Sequence, residues 1–342
     1  MSRAPKQDIA YQEKLTIPKE FLRFATPRDV SLYRAERLKC NVLVEIGAGI
    51  GGQTIPFSKQ CKKVIAIELD KTRAKILLDN LKKLRINNVE VINGDALNKS
   101  VIQKIAKENI DIVFVDTERP EQSERTLKEI KPSVEKIIES YSPLTKKIAI
   151  EIPPFTQDLD SLKNKVDFEQ EFISLNNQLN RLTLYFNELK KYDKCVISLP
   201  SKELLTKSEK KIEVKKVDST RGYKFLYWID PTVIVADLID EVGNKLDCAI
   251  LELNKPVLLS NERIHSNLLT AYFIKKVCEF SQNKILTLMD GMGIGKVILR
   301  YNLEPTEYWK VRKFYESKLT GKREINLFVN EDKKEAILCE KL

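Results

Sequence analysis

The chain has 342 residues, enough for two domains that each bury a core. Hydrophobic residues make up 42% and charged residues 32%, which excludes a disordered chain, and no apolar run is long enough to span a membrane. The net charge of +10 suits a polyanionic partner such as RNA, and equally a Lys-rich solvated surface.

Six cysteines lie scattered without CxxC spacing, and His265 is the only histidine. A zinc site, a disulfide framework and a His-based triad are therefore not expected, and no metal is expected at all. The N-terminus carries no apolar leader, so the location is read as cytoplasmic.

Residues 1–40 read as an N-terminal helical extension, loose to about residue 25 with short helical pieces around Pro18 to Arg23. Thr26-Pro27-Arg28-Asp29 reads as a helix start, with Thr26 as N-cap and Pro27 at the first helical position. That helix is expected to run to Leu38 and to bury Val30, Tyr33 and Leu38. Strands are expected at 42–46, 64–68, 89–93, 111–116 and 148–152, with helices at 54–60, 71–84, 98–108 and 122–140 between them. Near-continuous apolar strands with helical crossovers imply an α/β fold with a parallel sheet covered on both faces. Two β-rich runs, 168–175 and 179–186, close on a short Asn-rich turn as an antiparallel edge hairpin, and Cys195 to Leu199 adds a strand. This domain spans 41–200 and a Lys-rich linker spans 201–222. A smaller α+β domain follows over 223–342, with a helix from Asp230-Pro231 through Val242 and terminal strands at 324–328 and 336–339.

The first strand ends in Glu45, and Gly47-Ala48-Gly49-Ile50-Gly51-Gly52-Gln53-Thr54 follows at once. Strand, glycine turn and helix build a site where backbone N–H groups meet a nucleotide-like ligand. Gly47, Gly49 and Gly52 match the dinucleotide fingerprint, and Glu68 stands where a ribose-binding acid belongs, so the turn alone leaves NAD open. Two further acids favour S-adenosylmethionine. Glu45 can anchor an amino group and favour a sulfonium. Asp95, in Asn93-Gly94-Asp95-Ala96, can accept from an adenine amine while the Ala96 N–H donates to the ring. Asp70 is a weaker substitute for Glu68.

From about residue 24 to 190 the chain resembles a class I S-adenosylmethionine-dependent methyltransferase, within it the trimethylguanosine synthase type of RNA guanine-N2 methyltransferase. The matching pieces are Phe24-Ala25-Thr26-Pro27, the glycine turn, Val64 to Asp70 and Val91 to Asp95. The resemblance implies a Rossmann-like sheet and places Thr26 near the methionine end. The expected cofactor set is Thr26, Glu45, Gly47, Ala48, Gly49, Gly51, Thr54, Glu68, Leu69, Asp95 and Ala96. Amine methyltransferases of this type carry a Pro-Pro-aromatic motif after the fourth strand, where this chain has Asp116-Thr117-Glu118-Arg119-Pro120. Asp116 keeps an acceptor at the strand end and Glu118 offers a second; these are the expected catalytic residues. Arg119 either contacts substrate or pairs with Glu118 at the surface. Pro153-Pro154-Phe155, after the fifth strand, either supplies a stacking ring or merely ends the strand.

Tyr227 to Asp237 and Gly293 to Arg300 resemble the THUMP-like domain found behind a methyltransferase domain in a family of archaeal and bacterial proteins. Asp290 to Val297 fails as a phosphate-binding loop, lacking the leading glycine and the hydroxyl residue after Lys296. Its Lys296 and Arg300 are read either on a flexible loop facing RNA or on a plain turn before a strand. The expectation is methyl transfer to a base amine of tRNA or rRNA, with no membrane partner. The alternatives are a non-catalytic RNA-binding protein that keeps the pocket, and an NAD-dependent oxidoreductase.

Overall fold

Short apolar, β-branched runs are stable as parallel strands covered by helices, and five such runs form the parallel part of the first sheet, with Val89–Asn93 at its edge. The computed structural model describes residues 9, 14–24, 26–116 and 126–342, and the chain divides into two units, Met1–Lys202 and Glu203–Leu342.

In the first unit, β1 (Val42–Ile46), β2 (Lys63–Glu68), β3 (Val89–Asn93), β4 (Ile112–Asp116) and β5 (Ile148–Ile152) run parallel. The hairpin β6 (Phe168–Leu175) and β7 (Leu179–Phe186) follows, then β8 (Lys194–Leu199). Their order is β3-β2-β1-β4-β5-β7-β6-β8, with β7 antiparallel to β5 and to β6. Asn176 and Asn177 turn the hairpin at φ 53° and 59°, conformations that asparagine tolerates better than most residues. Because β1 lies between β2 and β4, successive crossovers leave it in opposite directions. The crevice beyond the carboxyl ends of β1 and β4 is where such a sheet binds ligands.

The helices are α1 (Arg28–Arg37), α2 (Thr54–Gln60), α3 (Lys71–Lys83), α4 (Lys99–Ile105), α5 (Val134–Tyr141) and α6 (Leu159–Lys163). The start of α1 corrects the expected cap. Pro27, at φ −57° and ψ 147°, is itself the N-cap, and its carbonyl accepts the first helical bond from Ser31. Val30 and Leu38 are buried as expected, but so is Arg34. Of the helix expected over 122–140, residues 122–125 lie outside the described residues and Leu127–Glu129 is a 3-10 helix. The helix α5 begins only after Pro132, with the Ser133 hydroxyl as its cap, because the residue before a proline is driven out of helical geometry. The helical piece expected around Pro18 to Arg23 is the 3-10 helix Lys19–Phe24, and the stretch before it is not loose at Thr16, which is bonded to Asn80.

The second unit holds one sheet, ordered 216–217, 249–252, 256–260, 225–229, 269–279, 335–341, 323–330 and 294–299. It is antiparallel except for the parallel pair at each edge. Lys216–Val217, inside the stretch read as a linker, form one edge strand. The expected helix from Asp230 to Val242 is two, Pro231–Val235 and Ile239–Lys245, split where Asp237 takes φ 55°. Among the described residues no helix is long and apolar enough to cross a membrane.

Candidate active site

The chain turns at the end of β1 because glycine lets it approach β4 closely. Gly47 has φ +80°, and a side chain there would bring its Cβ to 2.5 Å from the Asp116 carbonyl oxygen. The Gly47 and Ala48 N–H groups both donate to the Ile67 carbonyl, at 2.9 and 3.2 Å, which pins the turn to β2. Gly49, at φ +58°, has nothing within 4 Å of where a Cβ would stand, so its face is open to a ligand. Gly51 serves packing instead: its missing Cβ leaves room for Leu77 of α3, which would be 2.8 Å away.

Glu45 is fully buried in β1, and neither carboxylate oxygen has a hydrogen bond. Burial pushes its pKa up to about 8. The nearby Thr54 hydroxyl opposes that rise, the charges of Asp116 and Glu68 add to it, and Arg34 moderates it. Glu68 is differently served. Its carboxylate accepts from the Gly49 N–H at 2.7 Å and the Asp70 N–H at 2.8 Å, one on each oxygen, which fixes its orientation and leaves a lone pair on each. Asp70 caps α3 through the Arg73 N–H at 2.8 Å, so its carboxylate is already committed to the helix.

One pocket brings together Thr26, Glu45, Gly47, Ala48, Gly49 and Asp116. Asp95 and Ala96 lie at the end of β3 and do not line it. Asp95 is exposed and accepts from the Leu97 N–H at 2.9 Å, while the buried Ala96 carbonyl accepts from the Tyr141 hydroxyl at 2.8 Å. Burial, with the Asp95 charge behind it, raises the Tyr141 pKa and keeps that hydroxyl a donor. Leu69, 72% exposed, sits beside Glu68 as an apolar surface at the crevice.

Ile9, Leu15, Ile17 and Phe21 also line the pocket, as do Gln53 and Arg73. Sequence reasoning missed all six; the alternation of Leu15 and Ile17 was the only local signal. The Arg73 guanidinium lies 5.5 Å from the Phe21 ring centroid. Asn80, fully buried in α3, ties this wall to the glycine turn. Its amide donates to the carbonyls of Thr16 at 3.2 Å and Ile50 at 3.1 Å, and its oxygen accepts from the Thr16 N–H at 2.7 Å. Arg34, also fully buried, ion-pairs with Glu151 and donates to the Gln53 side chain at 3.1 Å. Glu151 stands beside Asp116 in the β4–β5 register and is held from its other side by Arg181 at 2.7 Å.

Glu118 and Arg119 lie outside the described residues. Phe155 is 51% exposed after β5, in a turn closed by the Thr156 N–H on the Pro153 carbonyl, and does not line the pocket. Lys296 and Arg300 are not on a flexible loop. Lys296 is within the strand Ile294–Leu299, and Arg300, next along the chain, donates to Asn326 at 3.1 Å. The neighbouring glycines serve close packing: a Cβ on Gly295 would lie 1.8 Å from the Gly321 carbonyl oxygen. Glu169, Glu171 and Cys195 gather their donor atoms within 4.8 Å of one another. The Arg37 guanidinium already ion-pairs with both carboxylates, so this cluster is an internal charge pair.

A family model described as ribosomal RNA adenine dimethylase matches residues 28–131, from α1 through β4. A cobalt-precorrin-6B C(15)-methyltransferase (decarboxylating) of Methanococcus maripaludis is 30% identical over 154 residues, covering 45% of this chain and 78% of that protein. The chain belongs to the class I S-adenosylmethionine-dependent methyltransferases. The chain is also 43% identical over 82 residues to a protein of Methanosarcina barkeri named a probable ribosomal RNA small subunit methyltransferase A, covering 24% of this chain and 28% of that protein. It spans about a quarter of the length of the ribosomal RNA methyltransferases it matches. A solved structure from Porphyromonas gingivalis W83, named for methyltransferase activity, superposes with a TM-score of 0.78 at 17% identity, over 95% of this chain and 83% of that one. That likeness shows the shared fold across both units. The residues present fit the family's cofactor: the buried Glu45 carboxylate, without a hydrogen bond, lines the same pocket as the open face of Gly49, whose N–H fixes the Glu68 carboxylate.

Proposed function

We propose that this methyltransferase modifies a base amine of RNA, tRNA or rRNA. One observation carries the reading: Asp116 lines the same pocket as Glu45 and Gly47, within the segment matched by a ribosomal RNA methylase model. The net charge of +10 supports a polyanionic substrate.

Bound S-adenosylmethionine supplies an electrophilic methyl group on a sulfonium sulfur. Glu45 takes the amino group, and its negative charge favours the cation. Glu68 accepts from the ribose hydroxyls with the lone pairs its backbone bonds leave over. Asp95 and the Ala96 N–H serve the adenine, beside Leu69, and Thr26 stands by the methionine end. Asp116 accepts a hydrogen bond from the substrate amine, which points the nitrogen lone pair into the pocket and gives the departing proton a place to go. Positioning of this kind supplies most of the rate. Glu118 is the second acceptor, with Arg119 and Phe155 as substrate contacts. The second unit, resembling THUMP-like domains, adds RNA affinity through Lys296 and Arg300.

The test is transfer of labelled methyl to purified tRNA and rRNA, followed by digestion to nucleosides. Label in guanosine supports the trimethylguanosine synthase resemblance, and label in adenosine supports the matched family model. Asp116→Ala should lower kcat by about 100-fold or more, with cofactor affinity within a few-fold of the parent. Label that enters protein and never RNA sinks the reading.

A further inference from the structure

Trp309 is 66% exposed on the helix Pro305–Glu316 of the second unit. Two neighbouring side chains of the same helix pack against its ring. The Tyr308 ring meets it edge-on, with centroids 5.4 Å apart at 84°, and the Arg312 guanidinium carbon lies 5.5 Å from its centroid. Arg312 is itself fixed by Glu316 at 2.9 Å, four residues on. Glu316 also accepts from the Val297 N–H at 3.0 Å, on the open edge of the sheet. Burial works against its ionisation, but that N–H, Arg312 and Lys296 outweigh it and keep the carboxyl below the ordinary range. Glu316 is thereby neutralised, and Glu307, on the same helix, is paired with Lys310 at 2.8 Å, while Lys313, one helical turn from Trp309, and Lys296 remain exposed.

We infer that Trp309 is a base-stacking platform for unpaired RNA, with Arg312, Lys313 and Lys296 tracking the phosphate backbone. The inference rests on the RNA reading and gives the second unit a defined role in it. An exposed aromatic ring with a guanidinium beside it and exposed lysines on the same helix and the adjoining strand matches single-stranded nucleic acid, since every base offers a π face and the backbone is anionic. Trp and Arg also occur in protein interfaces, but those interfaces are depleted in lysine, and the exposed Lys313 and Lys296 favour an anionic partner. Duplex RNA buries its base faces within the stack and has none to offer.

The chain has two tryptophans, so in Trp228→Phe protein the emission comes from Trp309 alone. Titrating that full-length protein with a 12-nucleotide oligo(A) should quench the emission, and a blunt RNA duplex of equal length should leave it nearly unchanged. In wild-type background, Trp309→Ala should weaken oligo(A) binding about ten-fold or more, and Trp309→Phe should recover most of that loss. Equal quenching by the duplex or by polyglutamate overturns the platform, as does unchanged oligo(A) affinity in Trp309→Ala. If Trp309→Ala fails to fold, the quenching contrast still decides. Methyl transfer to RNA without the Trp309 effects overturns this inference alone, whereas Trp309 effects without methyl transfer overturn the enzymatic reading alone.

Discussion

Glu45 couples ligand binding to a proton. Its ordinary value is 4.5 and in the folded protein it is pushed up to about 8, so the folded state keeps a proton that the unfolded state gives up. The associated stability is present below pH 4.5 and is lost as the pH rises towards 8. A cationic amino group reverses the preference and draws the carboxylate out, releasing the proton. Affinity for S-adenosylmethionine should therefore rise between about pH 6 and 8, by at most ~10-fold per unit, and Glu45→Gln should flatten the profile. Calorimetry in two buffers of different ionisation enthalpy reads the released proton directly. Arg34 carries a different liability, because it is a fully buried cation held by Glu151 and Gln53. Arg34→Met leaves Glu151, beside Asp116, with Arg181 as its remaining ion-pair partner, and should cost about 3 kcal/mol in urea unfolding, with part regained in the Arg34→Met, Glu151→Gln double variant.

At the scale of elements, β1 to β5 and the β6–β7 hairpin were legible because continuous apolar runs and an Asn-rich turn are local signals. Helix limits were legible only where a local rule dominated. Pro132 delayed α5, and Asp237 split the helix after Asp230, because proline constrains its predecessor while a single positive φ in a non-glycine residue leaves almost no mark in sequence. The glycines of the second unit show the same limit from the other side. Their spacing suggested a loop, but their purpose is to let 294–299 and 323–330 begin side by side. A Cβ on Gly321 would stand 2.0 Å from the Gly293 carbonyl oxygen. Gly321→Ala should thus cost about 3 kcal/mol, visible as a lowered Tm.

Across the whole molecule, the part of the site that could be read in advance is the part made by strand ends. Glu45, Glu68 and Asp116 sit where three strands stop, and strand ends follow from periodicity. What could not be read comes from groups far apart in the chain: Gln53 held by Arg34, and a pocket wall drawn from Ile9, Leu15, Ile17 and Phe21. Charge pattern was no guide to Arg34 or Arg37, which look like solvated helix residues until β5 and β6 bring their carboxylates against α1. Asn80 shows what such long-range contacts add. One carboxamide serves segments 64 and 30 positions away, and its bonds are complete only when both are docked. Withdrawal of either segment leaves buried polar atoms without partners, at about 1–3 kcal/mol each. The wall and the glycine turn therefore open and close together. The Thr16 amide proton, bonded only while the wall is docked on α3, should exchange with solvent no faster than that shared opening allows.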